Sequence, residues 1–280
     1  MDRMRRPAHA AAIGAISAAA IASAAPAPAH HWTGDRHALD SAGTADGVPI
    51  GTASFSPGRV GPAFAFDGAG IVNLGHGPGD FGTGDCTIDF WILGDVAGPL
   101  QAVLSNRQAC DYGWFWDIRG RRELVLVVDS DPTPAMQAWA TGGPALGGGW
   151  RKVTFRRSGS TLSAFTDGRR VRDVAIDPLL DVSSPAPLIL AGGPCVGRDG
   201  TRRLVGRVDE LRLYATALTD DEIRRLACPV DQDGDGLATV EDLQTFLAWF
   251  REGSADFDGD GRCDVLDLLA YLGAFRSGCP

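Results

Sequence analysis

The sequence predicts a two-sheet β-sandwich followed by a small helical unit. Three observations carry that expectation. Short runs of β-branched and aromatic residues fill the region from Trp32 to about Ala217, separated by turns that hold most of the 37 glycines. Helical periodicity is almost absent there. After Pro229 the pattern changes: the acidic stretch DQDGDGLATVED, residues 231–242, returns 25 residues later as DFDGDGRCDVLD, residues 256–267.

A chain of 280 residues suits one large domain and one small one. The formal net charge of -9 is unevenly placed: residues 229–280 carry eleven acidic residues against three arginines, a net -8, which leaves -1 for the rest. Neither part offers the basic patch that phosphate binding needs, so no nucleic-acid partner is expected. At the start, Arg3, Arg5 and Arg6 precede a short apolar run from Ala10 to Ala22. Small residues at Ala22-Ser23-Ala24, or at Ala27-Pro28-Ala29, then offer cleavage sites. That order predicts a signal peptide and leader over residues 1–29, and a secreted or cell-surface protein. The run is too short to span a bilayer, and no later segment is long and apolar enough.

Export makes the six cysteines informative. Cys228 and Cys279 bracket the acidic repeat, where a bridge would staple a domain with little core. Cys110 and Cys195, in the similar settings RQAC and GGPC, are candidates to join two loops. Spacing leaves the connectivity open, and Cys86 and Cys263 suggest no partner.

Each element has its own local signal. CTIDFWIL alternates, with Ile88, Phe90 and Ile92 on one side and Asp89, Trp91 and Leu93 on the other. WRKVTFRRSGSTLSAFTDGRRVRDVAI contains a hairpin turning at Asp167-Gly168. RELVLVVDS, APLILAGG and RRLVGRVDELRLY read as further strands. TDDEIRRLA reads as a short helix with Thr219 as N-cap and Glu222 completing a capping box. In the tail, Val240/Val265, Leu243/Leu268, Leu247/Leu272 and Phe250/Phe275 match across the repeat at helical spacing, so each acidic stretch leads into an amphipathic helix. Neither helix buries its stripe alone, whereas the two together can.

Crowded carboxylates repel unless something positive sits among them. A twelve-residue calcium loop places oxygen ligands at positions 1, 3, 5, 7, 9 and 12 and glycine at 6. The first copy supplies Asp231, Asp233, Asp235, the Leu237 carbonyl, Thr239 and Asp242, with Gly236 at the turn. The second supplies Asp256, Asp258, Asp260, the Arg262 carbonyl, Asp264 and Asp267, with Gly261. Two calcium ions are therefore expected. Position 12 is Asp rather than the usual Glu.

From Cys228 to Pro280 this pattern resembles a dockerin, a pair of loop-helix units bounded here by a cysteine at either end. The resemblance implies calcium binding and a cohesin-like or envelope anchoring partner. Many dockerins carry Ser/Thr at loop positions 10 and 11. Here those positions hold Val240, Glu241, Val265 and Leu266, so docking to an ordinary cohesin does not follow. Upstream, HHWTGDRHALDSAG, GPAFAFDGAGIVNLG, GWFWDIR and above all GRVDELRLYATALTDDEI resemble the laminin-G-like, concanavalin-type jelly roll over residues 30–228. The expected fold class is thus an all-β jelly-roll sandwich with a small all-α, EF-hand-like calcium-binding domain over residues 229–280. The family implies a glycan or extracellular protein ligand. It also implies one further calcium ion at the rim, from Asp35, Asp40 and Asp209; their alternative role is turn capping.

No catalytic residue is expected. Glycoside hydrolysis needs two carboxylates facing one cleft, and adjacent Asp209 and Glu210 should point to opposite faces of a strand. No Ser/His/Asp arrangement is evident. Trp114, Trp116, Trp139 and Trp150 are candidates to stack on sugars, with the core as their alternative place. The reading is an exported, non-catalytic binding protein anchored by its tail. Its rivals are a polysaccharide-degrading component delivered by a dockerin and a structural adhesion protein.

Overall fold

The structure, a computed structural model, describes residues 26–94, 99–110, 115–121, 123–129, 138–144, 147, 149–198 and 200–279. The expected signal segment with its Ala22-Ser23-Ala24 site, Trp114, and the side chain of Trp139 lie outside what is described. No helix among the described residues is long and apolar enough to cross a membrane.

Two sheets face each other. The first runs β13 (Arg169–Ala175), β12 (Thr161–Thr166), β11 (Arg151–Ser158), β6 (Cys86–Gly94), β16 (Val205–Tyr214), β4 (Pro62–Asp67), β3 (Ser54–Pro57), with β1 (His30–Trp32) also on β16. The second runs β10 (Ala138–Pro144), β9 (Glu123–Asp129), β8 (Phe115–Gly120), β7 (Gln101–Ser105), β14 (Ile189–Leu190), β5 (Ile71–Asn73), β2 (Val48–Ile50), with β15 (Arg202–Arg203) parallel to β7. All other pairings within the sheets are antiparallel, and the order is the crossed one of a jelly roll.

Period-two alternation builds the core. Ile88, Phe90 and Ile92 face inward and meet Val153, Phe155, Val208, Leu211 and Leu213 of the same sheet and Ile118, Leu124 and Leu126 of the other. Trp116 is in that core too, with its Nε1 donating to the Gly79 carbonyl at 2.7 Å. The Asp167-Gly168 turn joins β12 to β13 with both residues at positive φ, 49° and 73°, the conformation that this dipeptide favours. Helix α1 (Asp220–Leu226) carries the expected Thr219–Glu222 capping box.

The outer face of the first sheet is not open to solvent. Ile223 and Leu226 of α1 pack on Phe165 and Tyr214. The tail covers the middle, where Trp91 and Trp150 are 6% and 7% exposed. Helices α2 (Val240–Arg251) and α3 (Val265–Ser277) pair through Phe246 and Tyr271, whose rings stack at 3.8 Å, with Phe257 edge-on to both. Phe246 and Tyr271 are themselves 25 residues apart and form the middle of the tail's core, a matched pair that reading for aliphatic spacing passes over. Val240 and Val265, expected in the buried stripe, are instead each 59% exposed, because they open their helices on the side away from the partner.

Disulfides join Cys110 to Cys195 and Cys228 to Cys279, and Cys86 and Cys263 are free thiols. The second bridge ties the entry of the tail to its exit.

Candidate metal centre and binding surface

The two acidic loops are built alike. In the first, Asp231 Oδ1 accepts from the Gly234 N–H at 2.6 Å and Oδ2 from the Gly236 N–H at 2.8 Å. In the second, Asp256 Oδ1 accepts from Gly259 at 2.9 Å and Oδ2 from Gly261 at 3.0 Å. Gly236 and Gly261 have φ of 85° and 95°, which a side chain would strain. The result brings one carboxylate oxygen each from Asp231, Asp233 and Asp235 within 4.8 Å of one another, and likewise from Asp256, Asp258 and Asp260. An all-oxygen set of this charge fits a hard divalent cation. Burial, with Asp242 and Asp233 nearby, pushes Asp231 up to about 6, the behaviour of a carboxylate whose charge is uncompensated.

The other expected ligands have structural duties. Asp242 and Asp267 are buried and stand at the third position of their helices. Their Oδ2 atoms accept from the N–H of Thr239 at 2.7 Å and of Asp264 at 2.8 Å, while their Oδ1 atoms accept from Gln232 at 2.7 Å and Asp258 at 3.1 Å. Position 12 thus laces loop to helix. Thr239 and Asp264 are the N-caps of α2 and α3, and Leu237 and Arg262 expose their side chains.

The second loop is seated on the sandwich. Asp256 donates its N–H to the Gly58 carbonyl at 2.8 Å, and its carbonyl accepts from Trp150 Nε1 at 2.9 Å. Its Oδ2 accepts from Arg207 of β16. Arg59 enters the tail, stacks 3.4 Å over the Phe257 ring and donates to the carbonyls of Phe257 and Pro229. Burial lowers the Arg59 pKa to about 9, against the opposing pull of Asp167, Asp209 and Asp256. Beside this contact lies a cluster of buried polar pairs: Lys152 Nζ meets Asp89 Oδ2 at 2.6 Å, and His31 Nε2 meets Glu210 Oε2 at 2.9 Å.

At the rim, β1 does pair with β16, as Asp35 and Asp209 required. Asp35 is raised by burial and by Glu210, and Asp209 well above its ordinary value by burial, Glu210 and Asp35. One oxygen of each, Oδ1, is buried without a hydrogen-bond partner. Asp40 does something else. Its oxygens accept from the N–H groups of His31, Gly43 and Ala45 and from His30 Nδ1 at 2.6 Å, closing the turn after β1. Burial raises the Asp40 pKa, but these bonds outweigh it and bring it down to about 2.

One expectation is corrected. Asp209 and Glu210 do not point to opposite faces. A bulge interrupts the β16–β6 register there and Glu210 has φ of 55°, so that Val208 and Leu211 both face the core and the two acids between them share the outer face. They do not form a hydrolytic pair, since both are buried and Glu210 is engaged by Arg212 and His31. Burial raises the Glu210 pKa, but the Arg212 guanidinium and the hydrogen bond with His31 outweigh it and bring it down to about 2. Of the tryptophans weighed between a ligand face and the core, Trp116 is in the core and Trp150 is beneath the tail.

A sequence profile described as the concanavalin A-like lectin/glucanases superfamily matches residues 66–224. The chain belongs to that superfamily. Among solved structures, it is similar to domain 4 of AbnA, a GH43 extracellular arabinanase from Geobacillus stearothermophilus in complex with arabinotriose. The TM-score is 0.57 and the identity 19%, over 72% of this chain and 98% of that one. It is also similar to the binding domain of botulinum neurotoxin DC, in complex with rat synaptotagmin II (TM-score 0.54) and with SialylT (0.55). Each is 13% identical, over 72% of this chain and 51% of the toxin domain. At these identities the likeness is one of fold. No curated protein matches the chain. For this superfamily member the neighbours are binding domains, one from an enzyme and others from toxins, and two disulfides accord with an oxidising compartment.

Proposed function

We propose that this superfamily member is an exported binding protein without catalytic activity. Its jelly roll recognises a glycan or an extracellular protein, and its dockerin-like tail takes up two calcium ions and attaches it to a cohesin-like or envelope partner. The observation that carries the tail's part is the same carboxylate cluster built twice, with identical backbone bonds. Calcium would neutralise carboxylates that otherwise repel. Asp231, Asp233 and Asp235 would hold one ion, and Asp256, Asp258 and Asp260 the other, with the Leu237 and Arg262 carbonyls, Thr239, Asp264, Asp242 and Asp267 completing the shells. The exposed apolar side chains of Val240, Val265, Leu266 and Leu269 are available for contact with that partner. At the rim, Asp35 and Asp209, with their unpartnered oxygens, are the groups for a further ion; Asp40 keeps its place in the turn.

The binding role of the jelly roll draws on neighbours whose own complexes hold a sugar in one case and a protein in another. Calcium titration calorimetry on the full chain tests the metal reading. Two sites should appear in the tail, one lost in Asp231→Ala and one in Asp256→Ala. A third site, if lost in Asp209→Asn, belongs to the rim. Absence of any calcium heat would sink the reading. Release of reducing sugar from a polysaccharide panel would replace the binding role with the enzymatic one.

A further inference from the structure

We infer that the protein binds a neutral oligosaccharide in the groove between the β3–β4 edge of the first sheet and the second acidic loop. This deepens the glycan-binding reading above and rests on it. α1 and the tail cover the middle of that sheet's outer face, and the part beside β3 stays open. There a groove of about 460 Å³ is lined by Thr52, Ser54 and Ser56 along one side and by Gly259, Asp260 and Gly261 along the other. Its volume is that of a small-ligand cleft. Both units build it, so it exists only while the Asp256 contacts hold the second loop against the sandwich.

The lining selects the ligand. The exposed Ser54 hydroxyl and the Asp67 carboxylate, which already holds the Thr52 hydroxyl, offer a donor and acceptors to a sugar's hydroxyls, while Leu93 and Val205 offer apolar surface to its C–H faces. The one cation among the described lining residues, Arg207, directs its Nη1 at the Asp256 carboxylate, which neutralises its charge, and at the Pro57 carbonyl at 3.0 Å, so an anionic sugar is disfavoured. A peptide added to the sheet edge is poorly served, because β3 has only four residues and ends in Pro57, which lacks an N–H. Phe66 is 5% exposed, which leaves no aromatic ring open to anchor an apolar ligand.

The test is calorimetry of the full chain in calcium with arabino-, xylo-, gluco- and galacturonic trisaccharides. It compares the wild type with Ser54→Trp and Val205→Trp, which fill the groove, and with Val171→Trp on exposed β13 at the opposite edge of the sheet. The expected result is binding of a neutral trisaccharide that both groove variants weaken by at least about tenfold, the scale of one lost polar contact, and the control leaves unchanged. Near-ultraviolet circular dichroism and calcium heats identical to wild type show that the groove variants are folded. Undiminished binding by folded groove variants overturns this site and leaves the glycan reading intact. Preference for the galacturonic sugar overturns the neutral ligand. No sugar binding by the wild type overturns both this inference and the glycan reading.

Discussion

Arg207, on the last long strand of the sandwich, holds the buried carboxylate of Asp256, the first residue of the second acidic loop. One ion pair therefore links the jelly roll to the second acidic loop of the tail. Trp150 and Gly58 bind the backbone of the same aspartate, so its carbonyl, its N–H and one carboxylate oxygen all answer to the sandwich.

Replacing Arg207 by alanine should leave Asp256 buried and uncompensated, at a cost of about 3 kcal/mol. The loss should be smaller in calcium than in chelator, because the ion supplies the missing positive charge. Urea unfolding of Arg207→Ala and wild type in both conditions checks this; equal losses would show that ion and arginine act on the tail independently.

Chelation should melt the tail and spare the sandwich. Burial and the neighbouring Asp242 and Asp233 raise the Asp231 carboxylate to about 6, so the first loop should tighten on calcium and α2 should lose order with it on chelation. Far-ultraviolet circular dichroism should lose helical signal with EGTA and regain it with calcium, while the near-ultraviolet signal of Trp116 persists. Hydrogen exchange of the two helices reports their order.

The Cys228–Cys279 bridge closes a loop with a sequence separation of 51. Loop entropy assigns such a bridge about 4 kcal/mol. The double variant Cys228→Ala/Cys279→Ala should lower the tail's unfolding midpoint accordingly, read as a separate transition in calorimetry. The Cys110–Cys195 bridge lies within the sandwich, so its removal should leave that transition in place.

Asp40 supplies an acid limit. Its folded pKa, about 2, lies below the ordinary 3.8, so its contribution is present in full above the ordinary value and is lost as pH falls through about 2. Melting temperatures between pH 5 and pH 2 should fall less steeply for Asp40→Asn than for wild type, and the variant should be the less stable at pH 7. Parallel curves would show that the turn does not depend on that charge.

Much of this molecule is written locally. Ile88, Phe90 and Ile92 went to the core because a strand alternates faces, and nothing else competed for them. The Asp167-Gly168 turn, the Thr219 cap and the carboxylates of Asp231 and Asp256 are short-range devices whose spacing is their geometry. The similarity of the two loops likewise follows from similar residues at matching positions. Trp91 and Trp150 could not be placed this way. Alternation puts Trp91 on the outer face, and only the docked tail makes that face an interior one. Glu210 defeated alternation itself: one extra residue in β16 turned two adjacent acids to the same side, and no local signal marks a bulge in VGRVDELRLY. Asp40 and Asp209 looked alike in sequence, yet one is consumed by backbone N–H groups and the other keeps an unpartnered oxygen. The sequence by itself determined the two kinds of unit, their order and the carboxylate clusters, since these rest on periodicity and on contacts within about a dozen residues. Only the tertiary structure decided which face stays open and which arginine meets which loop, because those contacts join residues more than a hundred positions apart, as Gly58 and Asp256 are, or cross from one unit to the other, as Arg207 and Asp256 do, where nearest-neighbour pattern carries no information.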